Sequence, residues 1–195
     1  MGIHAASGKL HWNYFLALER DLDVVSRYIE FCEPNFSVYS IELAHLLFAA
    51  ASEVDIVAKL LSERVAPAMP RGNINEYKAV LLSAIPDLPT AEVFVSRYGL
   101  SFKPWLNWAG TDNPVWWRSY NNVKHERDAY FQEATLKNSL DALGALLLLT
   151  FHLYSRVLAV PPEVLLAPKD ANGQLDPPSA LMRLDESLYY SPLIV

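Results

Sequence analysis

An all-α fold is what this sequence predicts: an antiparallel four-helix-type bundle with a small hairpin-like insertion and a C-terminal extension. Two observations lead there, namely long segments with apolar residues at three- and four-residue steps, and breaks bearing proline or asparagine between them. Composition is the third. Of 195 residues 52% are hydrophobic and 19% charged, with five tryptophans, ten tyrosines and eight phenylalanines, enough for one well-filled core. The expected domains are residues 1–160 for the bundle and 161–195 for an extension packed on it or used for contacts.

The first helix is predicted from His11 to Cys32, with Leu16, Leu22, Val25 and Ile29 at helical spacing. Glu33-Pro34-Asn35 ends it, because proline is poorly tolerated inside a helix. The second helix runs from Ser37 to Val65, and Leu43, Leu46, Leu47, Ala50, Val54, Val57, Ala58 and Leu61 form its apolar side. Beside them Glu42, His45, Ser52, Asp55 and Lys59 follow a polar stripe that faces water or lines a shared cleft.

The connector from Ala66 to Gly72 is rich in proline, and Asn73 with Glu76 then makes a capping pair for a short helix to Ala84. Val93-Phe94-Val95 and Ser101-Phe102-Lys103 flank a turn and predict a β-hairpin. Asn113-Pro114 marks the next helix start, since asparagine caps free N–H groups and proline suits the first turn. After a break near residues 128–134, a final long helix is expected from Thr135 to Leu158. Its segment Ala142 to Ser155 has fourteen residues without a formal charge, short of the roughly 20 needed to span a bilayer. It reads as a helix buried in protein, with His152 enclosed and no membrane partner. Pro161-Pro162 and the stretch from Pro168 to Pro178 are read as loop, followed by a weakly helical piece and the apolar Leu193-Ile194-Val195.

A net charge of −6 disfavours sequence-independent binding to long nucleic acid, which needs many cations. Cys32 is the only cysteine, so no intrachain disulfide or cysteine zinc cluster forms. With no secretory leader pattern at the start, a cytoplasmic location is expected. The sequence contains no P-loop, GxGxxG, GxSxG or HExxH pattern, so neither cofactor nor metal is predicted. His45 near Glu42 is expected to be a surface histidine, and Trp116 and Trp117 are expected in the core or an interface.

Candidate chemistry gathers in residues 113–127, NPVWWRSYNNVKHER. At about 100° per residue, Asn121 lies near −60°, Asn122 near +40° and His125 near −20° from Arg118. Lys124, near −120°, and Arg127, on the opposite side, are set aside by the same projection. A guanidinium, amides and an imidazole on one stripe suit a phosphate: His125 exchanges a proton near neutral pH, and Arg118 holds phosphate through two donors. Arg118 and His125 are therefore the catalytic candidates, with Asn121 or Asn122 orienting substrate. About 10 Å of helical rise separates the pair, a gap closed by arginine's reach, a bend or a second subunit.

Arg118, six residues and His125, placed just before the last long helix, resemble the R-x(4–6)-H motif of the HEPN superfamily, and the likeness extends from the first helix to about Leu158. That resemblance implies a helical bundle, a homodimer, and metal-independent RNA cleavage by 2′-hydroxyl transesterification in toxin–antitoxin or phage-defence systems. RNA would be the substrate and an antitoxin or regulatory protein a partner. Ser119 departs from the asparagine, aspartate or histidine that many active members carry after the arginine. The resemblance also admits a non-catalytic helical module that binds a partner protein or nucleotide.

Overall fold

A computed structural model describes residues 8–157 and 165–185. The protein is predominantly helical, with seven α-helices and one small antiparallel sheet among the described residues. Helix α1 (Leu10–Val25) is shorter than its apolar spacing suggests. The Ser26 hydroxyl donates to the Asp23 carbonyl at 2.6 Å, and the ladder passes into three-residue steps at Arg27 and Tyr28, a local competition that serine often wins. Helix α2 (Ile41–Val65) likewise starts four residues later than predicted, where the Ser40 side chain accepts the Leu43 N–H at 3.1 Å.

Helix α3 (Ile74–Ala84) keeps its expected cap. The Asn73 side chain accepts from the Asn75 and Glu76 N–H groups, and the Glu76 carboxylate accepts from the Gly72 N–H at 2.6 Å. The predicted hairpin is present as β1 (Val93–Val95) and β2 (Leu100–Phe102), with Val93 opposite Phe102. Gly99 closes its turn at φ 64°, a left-handed conformation that favours glycine. Helix α4 (Val115–His125) and the single turn α5 (Arg127–Tyr130) precede α6 (Leu136–Val157).

Helices α2 and α6 lie along one another as the central pair, with α1 and α4 against both and α3 against α2. Phe15, Leu22, Leu43, Leu47, Val54, Leu61, Leu140 and Leu146 are sealed between them. Gly144 of α6 lets the hairpin approach, since a Cβ there would stand 2.7 Å from the Phe102 ring. Helix α6 is the one described helix long and apolar enough to cross a membrane, and 78% of its most apolar window is buried inside the protein.

The segment after residue 165 differs most from its reading as loop. Pro168–Gln174 forms α7, started by a proline whose fixed φ suits a first turn, with Asp170 near its positive end. Arg183–Leu184 then forms β3, antiparallel to β1, giving the sheet order β2-β1-β3. What holds this segment is Glu19 of α1, 2% exposed. Its carboxylate accepts the Ser179 hydroxyl and the N–H groups of Ala180, Leu181 and Met182, the last at 2.8 Å. Leu158 and residues 193–195 lie outside the described residues.

Candidate active site on α4

Helix α4 begins one residue later than its sequence signal. Pro114 stands just outside the helix, its carbonyl accepting from Trp117 and Arg118, and the Asn113 amide donates to Asn75 of α3 instead of capping. Trp116, Ser119, Tyr120 and Val123 are buried and fix the helix by one face. Trp116 also donates its indole N–H to the Pro104 carbonyl at 2.9 Å. Ser119, the residue that follows the arginine, is thus turned into the protein at 5% exposure.

Arg118 and His125 project from the opposite, outward ridge and both are exposed. No hydrogen bond or ion pair joins either side chain to a described residue. Asn121 and Asn122 flank them half-buried, each with a partner. The Asn121 amide donates to the Trp117 carbonyl at 2.9 Å, and the Asn122 amide to the Glu133 carboxylate at 3.1 Å. The four candidates therefore share a side of α4, with Asn122 held from the α5–α6 connection and Arg118 and His125 open to solvent.

Lys124, set aside on the projection, belongs to a cleft. It lines a space of about 390 Å³ with Trp117, Tyr120 and Asn121 of α4, Ser52, Asp55 and Lys59 of α2, and Gly72, Asn73 and Ile74 at the start of α3. Three of the five residues of the α2 polar stripe thereby form a cleft wall. Lys59 pairs with Asp55 at 2.5 Å, the Tyr77 hydroxyl donates to the other oxygen of Asp55 at 3.3 Å, and Lys124 reaches the Tyr120 hydroxyl at 3.3 Å. Burial and the Asp55 carboxylate push the Tyr77 phenol far above its ordinary range, so it stays a donor. Lys59, Lys124 and the Asp55 carboxylate line the cleft, and the Glu76 carboxylate accepts from Gly72 and Asn73 at its α3 edge. Nothing in the local spacing of α4 marked Lys124. Its signal was the α2 stripe, which needed a second helix to become a wall.

The remaining histidines divide by environment. His45 stands 3.9 Å from Glu42 with both side chains largely in water, a contact of little energetic weight. His11 donates through Nδ1 to the Glu53 carboxylate at 2.5 Å where α1 meets α2, both mostly enclosed. Burial pushes the His152 imidazole down to about 3, with Arg156 adding to the effect. Arg127 lies over the Phe48 ring at 5.3 Å. No group of three or more histidine, cysteine, aspartate or glutamate side chains is placed to hold a metal ion among the described residues.

The chain matches no protein-family model, no curated protein and no solved structure.

Proposed function

We propose that this protein is a HEPN-like, metal-independent endoribonuclease built on an antiparallel four-helix-type bundle of α1, α2, α4 and α6. The observation that carries the reading is the placement of Arg118 and His125 together on the outward ridge of α4, both exposed and without partners among the described residues.

In the proposed reaction His125 takes the proton from a ribose 2′-hydroxyl, and the oxygen attacks the adjacent phosphorus. The bond to the 5′-oxygen breaks, that oxygen takes up a proton, and a 2′,3′-cyclic phosphate remains. Arg118 stabilises the charge gathered on the equatorial oxygens through its fork of donors. One α4 holds the two groups apart by about 10 Å of rise, so a second copy of the chain completes the site in a homodimer. Cytoplasmic toxin–antitoxin or phage-defence action is the setting this chemistry fits.

The test is RNA cleavage in chelator by the wild type, His125→Ala and Arg118→Ala. Loss in both variants is expected, and equal activity in all three rejects the assignment. A second reading, a non-catalytic module that binds a partner protein, is favoured by one observation. Val24, Tyr28, Ile41 and Tyr39 are 52%, 81%, 63% and 50% exposed, around two grooves that share His45. If wild-type protein leaves RNA intact while Tyr28→Ser with Ile41→Ser abolishes capture of a partner, that reading takes precedence.

A further inference from the structure

The cleft between α2, the start of α3 and α4 has no part in the bond-breaking steps above, yet its walls combine three features that bear on binding. It holds an aromatic ring that is not sealed in the core, two ammonium groups, and a volume of about 390 Å³, within the range of roughly 300–1,000 Å³ of small-ligand sites. Trp117 is the ring. The other four tryptophans are buried at 2% exposure or less, whereas Trp117 is half-buried, held edge-on by Trp116 and tilted against Tyr120.

From this combination the geometry points to a binding subsite for one nucleotide unit of single-stranded RNA, with the base against Trp117 and the phosphate between Lys59 and Lys124. Every base has a face that stacks on an aromatic ring, and lysines track the phosphates, which is how single strands are held without sequence readout. Lys59 and the Tyr77 hydroxyl occupy the Asp55 oxygens, so the phosphate shares Lys59 with that carboxylate, while Lys124, bonded to the Tyr120 hydroxyl and to no carboxylate, supplies the net charge. Around α4 the order from the reactive ridge inward is His125, Asn121, Trp117, Lys124, at about −20°, −60°, −100° and −120°. Asn121 thus belongs to both places. The assignment rests on the ribonuclease reading in this respect: a strand cut at Arg118 and His125 passes the neighbouring nucleotide over Asn121 into the cleft.

The experiment uses a short 2′-O-methyl oligoribonucleotide, which lacks the free hydroxyl needed for cleavage, so binding is read apart from chemistry. Its addition quenches intrinsic tryptophan fluorescence, and the quench reports Trp117 because the other indoles are sealed away. By anisotropy of a labelled oligonucleotide, Trp117→Leu weakens binding about tenfold. Lys124→Ala lowers the slope of log affinity against log salt by about 0.7, and Lys124→Arg restores it. Absence of quenching, together with unchanged affinity and salt slope in Lys124→Ala, overturns the subsite. Quenching by adenosine monophosphate but not by the oligonucleotide overturns it too, giving the cleft to a free nucleotide. The two readings fail separately. Cleavage by wild type with normal binding by the cleft variants removes the subsite and leaves the ribonuclease, whereas oligonucleotide binding that depends on Lys124 and Trp117 without cleavage of RNA removes the ribonuclease and leaves the subsite.

Discussion

Two polar regions of this protein are built on opposite terms. At the junction of α1 with the 179–184 segment, the buried Glu19 carboxylate is met by one hydroxyl and three backbone N–H groups. On the outward ridge of α4, Arg118 and His125 are exposed and unmet. A buried charge must be saturated by the fold, since each missing bond exposes the full cost of desolvation. Exposed groups carry no such debt to the structure and remain free to act on something else. The contrast separates residues that hold the molecule together from residues it presents.

The comparison is broken most directly at His125. On the proposed ribonuclease reading, His125→Ala is expected to lower the RNA cleavage rate by about 10³-fold, within the range for removal of a general base, while shifting stability by less than about 0.5 kcal/mol; a urea melt and a cleavage time course check the two halves. Glu19→Ala should do the reverse in kind. It is expected to cost about 3 kcal/mol, because four donors lose a charged acceptor, and Glu19→Gln should recover part of this loss; the denaturation midpoint decides. A smaller cost, about 1 kcal/mol, is expected for Asn73→Ala, which leaves the first N–H groups of α3 without their cap. Thermal unfolding at neutral pH measures it.

The enclosed His152 extends the same contrast to pH. His152 is held neutral with its pKa lowered to about 3, below the ordinary value near 6.5. Between those values the unfolded chain binds the proton more readily than the folded one, so stability falls as pH drops below about 6.5 and the loss is complete near pH 3. The melting temperature of His152→Phe should therefore decline less steeply than wild type between pH 7 and pH 4. An identical slope would show that His152 is not enclosed in the folded protein.

How much of this was legible in the sequence depended on how local its cause was. The cap of α3 lies within Gly72 to Glu76 and the hairpin within ten residues, so both were readable from neighbouring side chains. The helical periodicity gave α2 and α6 nearly their full lengths, whereas the helix ends moved where a serine hydroxyl bonded the backbone, at Ser26 and Ser40. Pro168 followed by Asp170 was a readable start for α7 that the surrounding polar residues obscured. The cleft was hidden for a different reason. Lys124 gains its meaning from Lys59 and Asp55, more than sixty residues away, and no projection of α4 alone brings them together. Likewise β3 is only two residues long and depends on an α1 side chain 160 or more positions earlier.

That last separation sets an order of events during synthesis. Glu19 and the outer edge of β1 emerge from the ribosome long before residues 179–184, and until those residues arrive β1 offers an open edge to any passing strand and Glu19 has only water for donors. Domains generally fold as units, and this one cannot close its sheet until residue 184 is in hand. The late strand works as a latch, and a nascent chain halted before it leaves that edge of β1 uncovered.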